Sequence, residues 1–269
     1  MSVITISRGS YSRGVEVAEK VAQTLGYECI SREVLLEASE AFHIPEIKLL
    51  HAVRDAPSAL DRFVYGKEKY ISYIQTALLK HVQKDNVVYH GFAGHFFIKD
   101  IAHVLKVRII ADLEDRIRLL MDRDGVPRLK AGRLLKKVDD ERRKWSRSLY
   151  GMDPWDVELY DMVLHVGRLT VEDAVEMICR AIASGRFRTT AASQKEMDEL
   201  VLASLVKAAL VDLKPDIETS ARDGKAFITT TAQASEQPLL ARQIEERAKG
   251  VNGVKEVEVH FSLPQPYGE

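Results

Sequence analysis

The sequence has little of what marks secreted, metal-binding or membrane-spanning proteins. Its 269 residues include two cysteines, Cys29 and Cys179, which lie far apart and lack the spacing of a metal site. We interpret them as core thiols in a reducing compartment. No apolar run approaches the roughly 20 residues that cross a bilayer, and no basic stretch followed by an apolar one opens the chain. We therefore expect a cytoplasmic protein with no signal peptide and no transmembrane segment.

The chain also lacks an excess of charge of either sign. Lys and Arg number 39 and Asp and Glu number 40, so the formal net charge is −1. This balance gives no global reason to expect a nucleic-acid partner or an anionic membrane. A hydrophobic content of 46% over this length is enough for one large domain or two smaller ones. Arginine and lysine crowd a single stretch, residues 116–147.

The first 25 residues indicate a strand, a glycine-containing loop and a helix. Val3 to Ile6 is short, apolar and β-branched. From Val15 to Leu25 apolar residues recur at helical spacing, and Gly26 follows where a C-terminal cap belongs. The loop between them directs backbone N–H groups and a helix N-terminus at one point, which suits a phosphate. Its candidate phosphate-binding residues are Arg8, Gly9, Ser10, Tyr11, Ser12, Arg13 and Gly14.

Gly9 and Gly14 have the spacing of a phosphate-binding P-loop, but the two residues that should follow are missing. A P-loop continues with Lys, which reaches the terminal phosphates, and with Ser or Thr, which binds magnesium. This chain has Val15 and Glu16 there. The two arginines that bracket the loop would supply positive charge in their place. The alternative is an ordinary strand-to-helix turn, and the glycine spacing alone does not decide.

A second source of phosphate chemistry is the basic stretch. Phosphoryl transfer brings negative charges together, and the planar guanidinium binds phosphate oxygens bidentately. The candidates are Arg116, Arg123, Arg142 and Arg143, with Asp140 orienting an arginine. The alternative is a solvated basic helix with pairs four residues apart, such as Asp139 with Arg143.

Three stretches of the chain resemble the cytidylate kinase-like family, a branch of the nucleoside monophosphate kinases. They are Ser7-Arg8 with the loop, Glu16 and Leu25-Gly26-Tyr27; residues 107–118; and residues 130–165, with Asp140-x-x-Arg143 and Tyr160-Asp161. The resemblance covers roughly residues 3–183. It implies a three-layer α/β P-loop fold with a helical lid. It also implies transfer of a phosphoryl group from ATP, with Mg²⁺, to CMP, dCMP or a related acceptor.

Three positions at which this family uses charge hold Val15, Ser31 and Phe92. One reading is therefore an active kinase, for CMP or for another small phosphorylated or hydroxylated acceptor. The other is a catalytically weak or inactive nucleotide-binding module that serves as a sensor or scaffold. His90 and His95 stand near the third position, where we favour packing over phosphate contact. The histidines in the sequence have no metal spacing, so we expect no metal site built from protein side chains.

The remainder of the chain indicates a second module. A capping box from Thr170 to Asp173 begins a helix that closes the first domain, 1–183. Residues 184–195 hold few large apolar residues and many small polar ones, which predicts a linker. Residues 196–263 then give helix, two strands around Asp223-Gly224, helix and strand, an α+β order (αββαβ) that resembles a BON domain. That resemblance implies a lipid, ion or protein ligand rather than catalysis.

Overall fold

The structure, a computed structural model, describes residues 1–31, 33–44, 67–91, 94–98 and 100–262. The sequence also predicts a helix over residues 43–54, which lies outside these ranges except at its start, where His43 has a positive φ of 53°. A second helix is predicted from an apolar stripe between Leu60 and Val82. Its residues 60–66, together with Arg32 and Phe92, also lie outside the described ranges. In the described part of the chain, none of the helices combines the length and apolarity needed to cross a bilayer.

A parallel sheet of five strands forms the centre of residues 1–183. Its spatial order is β2-β3-β1-β4-β5, and every pair of neighbours is parallel. The apolar runs of the sequence explain this, because strands of a parallel sheet are covered on both faces. The strands are β1 (Val3–Arg8), β2 (Glu28–Ile30), β3 (Val87–His90), β4 (Val104–Ala111) and β5 (Met162–Val166).

Helices cover both faces of this sheet. One apolar cluster joins α2 and α3 to Val3 and Val87, and another joins α1 and α7 to Ile4 and Val107. The α/β fold with a parallel sheet is therefore confirmed. The helices of this part are α1 (Gly14–Leu25), α2 (Glu33–Phe42), α3 (Lys67–Val82), α4 (Gly94–Phe97), α5 (Leu113–Asp124), α6 (Arg128–Tyr150) and α7 (Val171–Ala183).

Helix ends lie where the local sequence places them. Gly26 ends α1 with φ 67°, and its N–H donates to the carbonyls of Ala22 and Gln23. This left-handed conformation costs glycine little. Thr170 and Asp173 form the predicted capping box at the start of α7. The predicted glycine cap of α1 and the predicted capping box of α7 are therefore confirmed.

The C-terminal residues form a three-stranded sheet with two helices. Its order is β6-β7-β8, with β6 and β7 antiparallel and β7 and β8 parallel. Asp223 and Gly224 have positive φ, as the predicted hairpin requires. The elements are α8 (Ala191–Leu210), β6 (Glu218–Arg222), β7 (Lys225–Thr231), α9 (Gln237–Lys249) and β8 (Glu256–Ser262), in the predicted order αββαβ.

The predicted linker, 184–195, is shorter than expected. Thr190 caps α8, and Ser193 completes a capping box with it, so residues 191–195 are helical. Helix α8 then packs on α3. Met197 and Val201 are buried in the cluster that contains Val3. The first helix of the C-terminal module thus completes the core of the parallel-sheet domain.

This packing predicts that Met197→Ala destabilises the full chain. Met197 is 0% exposed, and truncation of a buried methionine typically costs about 2–5 kcal/mol of unfolding free energy. Urea denaturation measures the change. Met177→Ala is the matched control, because Met177 is 39% exposed on α7, and we expect a change within about 0.5 kcal/mol. Equal, small effects of the two substitutions would contradict the packing of α8 on this core.

Candidate functional site

The loop between β1 and α1 lies at the carboxyl edge of the parallel sheet, where open α/β sheets bind ligands. It is held against β4, the neighbour of β1. The Gly9 N–H donates to the Ile109 carbonyl at 3.2 Å. Ser12 Oγ donates to the Gly9 carbonyl at 2.9 Å and lies 3.3 Å from the Ile109 carbonyl. These bonds fix the loop above the strand ends.

The backbone of the loop is bent at two residues other than glycine. Tyr11 and Arg13 have φ of 59° and 60°, a left-handed conformation that costs such residues of order 1 kcal/mol or more each. At position 14, by contrast, only glycine fits, because a larger residue would collide with Arg8. A Cβ at this position would lie 2.6 Å from Arg8 Cβ. The side chain of Arg8 therefore packs directly against the start of α1.

Arg116 on α5 ties the loop to α6. Its Nε donates to the Ser10 carbonyl at 2.7 Å. Its Nη2 donates to both carboxylate oxygens of Asp139, at 2.9 and 2.8 Å. The side chains of Arg116 and Asp139 are 11% and 18% exposed. This arrangement fixes the Ser10 carbonyl of the loop against α5 and, through Asp139, against α6.

Three further arginines stand close to Arg116: Arg8, Arg108 and Arg142. Burial lowers the pKa of Arg142 to about 10, helped by the positive charges of its arginine neighbours and opposed by Asp139. Burial also lowers the pKa of Arg8. Arg142 therefore has three arginines and one carboxylate as charged neighbours, and that carboxylate, Asp139, is already paired with Arg116. An excess of half-buried positive charge favours a bound anion, because arginine binds oxyanions through charge-assisted hydrogen bonds.

Two adjoining cavities open at this edge of the sheet. The loop cavity, about 360 Å³, is lined by residues 10–16 together with Arg123. The inner cavity, about 100 Å³, is lined by His95, Arg108 and Trp155 among others. Arg8 and Arg142 line both. The two residues therefore mark the boundary across which a group would pass from one cavity to the other.

The wall of the inner cavity is a hydrogen-bonded cluster around Tyr160. The Tyr160 hydroxyl accepts from Arg108 Nη1 at 3.1 Å. It lies 3.2 Å from Ser7 Oγ and 3.1 Å from His95 Nε2. Burial lowers the pKa of His95 to about 3 and that of His90 to about 4. Both histidines are therefore neutral at physiological pH, which favours the packing interpretation over phosphate contact.

Of the other predicted site residues, Arg123 stays near the loop and Arg143 does not. The guanidinium of Arg123 lies 4.5 Å over the ring of Tyr11, and its Nε donates to Asp124 at 2.7 Å. Arg143 Nε donates to both oxygens of Asp153, at 3.0 and 2.9 Å. Its guanidinium lies 4.6 Å over the ring of Trp155, which lines the inner cavity. Arg143 therefore approaches the site only through Trp155.

The spacing Asp-x-x-Arg occurs twice on α6, in two overlapping frames: Asp139 with Arg142, and Asp140 with Arg143. The residues of the first frame lie at the site. Asp139 binds Arg116, and Arg142 lines both cavities. Asp140 is exposed, and Arg143 binds Asp153. One residue on a helix is a turn of about 100°, so the two frames face different sides. The acidic residue paired with Arg116 is therefore Asp139, and a role for Asp140 in the site stays a prediction.

A sequence model of the cytidylate kinase-like family matches residues 3–168. The chain belongs to the cytidylate kinase-like family. A cytidylate kinase of Ignicoccus hospitalis is 27% identical over 184 residues, 68% of this chain and 99% of that protein. A cytidylate kinase of Pyrobaculum aerophilum is 25% identical over 177 residues, 66% of this chain and 90% of that protein.

A solved structure shares the fold. The crystal structure of an uncharacterized protein from Eubacterium ventriosum has a TM-score of 0.54 and 21% identity. The match covers 68% of this chain and 98% of that one. The family match ends at residue 168, so the C-terminal module lies beyond it.

Sequence reasoning about this family member missed Arg108 and Tyr160. A signal for Arg108 was present. Strand β4 is apolar except at Lys106 and Arg108, and a charged residue is unusual in a strand covered on both faces. Nothing in the sequence indicated that Tyr160 would contact Arg108, since the two lie on either side of α5 and α6.

In the ranges that the structure describes, the cysteines and acidic residues form no further thiol or metal site. Cys29 and Cys179 are both half-buried free thiols, and burial raises the pKa of each, that of Cys29 to about 11. They are therefore protonated and unreactive at neutral pH. Over the described ranges, no three His, Cys, Asp or Glu side chains gather as metal ligands.

Neutral His95 predicts a loss of stability in acid. The pKa of His95 is about 3 in the folded chain and about 6.5 when unfolded. Between these values the unfolded state binds the proton and the folded state does not, so stability falls as pH falls. From pH 6.5 to pH 4 the loss through this residue is about 3 kcal/mol, and His95→Gln removes it. Urea denaturation at both pH values measures this difference.

The control for this prediction is His260→Gln. The His260 side chain is 62% exposed, and we expect its replacement to leave the pH dependence of stability as in the parent chain. A parent chain and a His95→Gln variant with equal losses on acidification would show that His95 is accessible to protons in the folded state.

Proposed function

We propose that this chain transfers a phosphoryl group from ATP to a nucleoside monophosphate, CMP or dCMP, or to a related acceptor. Its family groups it with nucleotide-kinase-like phosphotransferases. The cytidylate kinases that it resembles match about two thirds of its length. One observation carries the proposal: Arg8 and Arg142 line both cavities, so positive charge lies where a phosphoryl group would cross.

The residues of the loop cavity fit the phosphates of ATP. Ser10 Oγ is buried and has no hydrogen-bond partner among the described residues. The loop N–H groups and the N-terminus of α1 would bind phosphate oxygens. Arg13 and Arg123 line the same cavity. When bound, ATP would supply the phosphoryl group and Mg²⁺ would neutralise part of its charge.

Magnesium would be held mainly by the phosphates. The P-loop Ser or Thr is replaced by Glu16, a residue of the loop cavity whose carboxylate pairs with Arg13 and Lys20 and is of a ligand type that Mg²⁺ accepts. Beside the loop, a groove of about 560 Å³ is bordered by Tyr11, Arg118 and Gly167. Its size suits the nucleoside of the donor.

The inner cavity would take the acceptor phosphate. In the reaction, the bond between the terminal phosphorus and the β-phosphate oxygen breaks, and ADP keeps the electron pair. A bond forms to an oxygen of the acceptor phosphate, which is already deprotonated at neutral pH. Arg108 and Arg142 would bind that phosphate, and Arg116 would hold the loop in place through Ser10. By sequence, α6 corresponds to the helical lid of the family.

A second candidate function is a nucleotide sensor that does not turn over. Two observations favour it. Val15 stands where a P-loop has its lysine. In addition, α8 of the BON-like module packs on α3, so binding at one module would reach the other through a shared core. The BON-like identity, its ligand and a cytoplasmic location stay predictions.

A turnover assay on the full chain tests the leading proposal. ATP–Mg²⁺ would be combined in turn with CMP, dCMP, UMP, AMP and cytidine, and ADP formation would be measured. We expect turnover with a monophosphate and none with cytidine, which has no phosphate for the inner cavity. Calorimetric binding of ATP–Mg²⁺ without turnover of any acceptor would favour the sensor. Absence of both binding and turnover would exclude both functions.

The position of Asp139 predicts different effects of two neighbouring substitutions. Asp139→Asn weakens the bidentate pair with Arg116 and releases the Ser10 carbonyl, so we expect kcat/KM to fall by about 10²-fold, as misplaced groups typically cause. Asp140→Asn changes an exposed carboxylate one residue away and should leave kcat/KM unchanged. Circular dichroism would confirm that both variants fold. A larger loss of kcat/KM for Asp140→Asn than for Asp139→Asn would show that Asp140, as first predicted from the sequence, is the residue that orients an arginine.

A further inference from the structure

The loop of this chain lacks the lysine of a P-loop, and the side chain of Arg8 lies next to the loop. Val15 leaves the first turn of α1 without a side chain that reaches phosphate. We propose that Arg8, the last residue of β1, replaces that lysine and binds the phosphate oxygens of the nucleotide from the strand side. The identity of the ligand as a nucleotide rests on the proposed function, whereas the anion site itself does not.

The first support is the position of Arg8. Its side chain lines the loop cavity and the inner cavity. It passes directly beneath the start of α1, where Gly14 leaves room for it: a Cβ on Gly14 would lie 2.6 Å from Arg8 Cβ and 3.0 Å from Arg8 Cδ. The stem of Arg8 therefore packs against the first residue of α1, and the N-terminus of a helix is where an anion is favoured.

The second support is the bonding of Arg8. Its Nε is buried and has no hydrogen-bond partner among the described residues. Two other arginines of the region show the contrast, since Nε of Arg116 donates to the Ser10 carbonyl and Nε of Arg143 donates to Asp153. A buried donor without a partner costs folding free energy. A ligand oxygen at this position would satisfy it.

The third support is electrostatic. Arg8 lies near Arg142, whose pKa is lowered by burial and by the charge of Arg8. Asp139 is the one carboxylate among the described residues that line the inner cavity, and it is already bound by Arg116. Arg8 therefore lies beside other positive charges, and the carboxylate of the inner cavity is already paired, so a phosphate that binds there would gain charge-assisted hydrogen bonds.

Arg13 is the other loop arginine, and it is less suited. Its side chain is 53% exposed, and Nη1 lies 3.6 Å from the Glu16 carboxylate. Water and Glu16 therefore compensate its charge already. Arg123, 65% exposed, is paired with Asp124 in the same way. Among Arg8, Arg13 and Arg123, it is Arg8 that lines both the loop cavity and the inner cavity.

The test compares the full chain with Arg8→Met by calorimetry, with ATP–Mg²⁺ and with inorganic pyrophosphate as probes. Methionine keeps an apolar stem and removes the charge. We expect both affinities to fall by about 10- to 100-fold, the usual loss for a charged hydrogen bond. Arg180→Met is the matched control, since Arg180 is 79% exposed on α7, and should bind as the parent chain does.

Thermal unfolding without ligand separates a binding arginine from a structural one. If Arg8 holds uncompensated charge for a ligand, Arg8→Met melts at the same temperature as the parent chain or higher. An arginine that stabilises the fold would give a lower melting temperature, and that result would overturn the proposal. Arg8→Gln serves as a second variant should Arg8→Met fail to fold, with the same affinities expected.

Val15→Lys provides the complementary measurement. If Arg8 does the work of the lost lysine, Val15→Lys restores pyrophosphate binding to Arg8→Met and adds little to the parent chain. An equal gain in both backgrounds would show that the two positions act independently and would overturn the replacement. The proposal would also be overturned if Arg8→Met bound pyrophosphate as tightly as the parent chain does, or if the parent chain did not bind pyrophosphate.

The turnover assay keeps this inference apart from the proposed function. A parent chain that binds pyrophosphate through Arg8 but forms no ADP would support the anion site and contradict the kinase. A parent chain and an Arg8→Met variant that form ADP at the same rate would support the kinase and contradict Arg8.

Discussion

The constraint on which the site depends is an excess of positive charge held in place before any ligand arrives. Arg8, Arg108, Arg116 and Arg142 come from four elements, and the charges of the first three act on Arg142. Asp139 pairs with Arg116 and also acts on Arg142. Holding like charges together in half-buried surroundings is unfavourable. The surrounding fold must therefore outweigh this repulsion, and the phosphate that we propose as ligand would relieve it. Site and fold are coupled through this one balance.

The parallel sheet is what allows four elements to converge. Strands β1 and β4 are neighbours that run in the same direction, so Arg8 and Arg108 both lie toward the carboxyl edge. Helices α5 and α6 follow β4 and carry Arg116 and Arg142 back over that edge. Because each arginine is fixed to a regular element rather than to a free loop, their separation is set by backbone geometry.

Much of this fold follows from local sequence, and the charge geometry does not. The strand, loop and helix at the start, Gly26 and the capping box at Thr170 are local patterns whose physical causes lie within a few residues. The choice between Asp139 and Asp140 is different, since both carry the same spacing on one helix. Only the tertiary packing of α6 decides which carboxylate faces Arg116. Arg108 was obscured in the same way, because its partners come from distant segments.

The same distinction explains the C-terminal module. Small polar residues before Glu196 indicated a linker, yet Thr190 and Ser193 cap a helix whose apolar face covers α3. Tyr73 of α3 lies in one cluster with Ala208 and Val211. The core under the parallel sheet is therefore completed by residues outside the family match. In physical terms α8 belongs to both modules, because it packs on α3 of the parallel-sheet domain and on β6 of the C-terminal sheet.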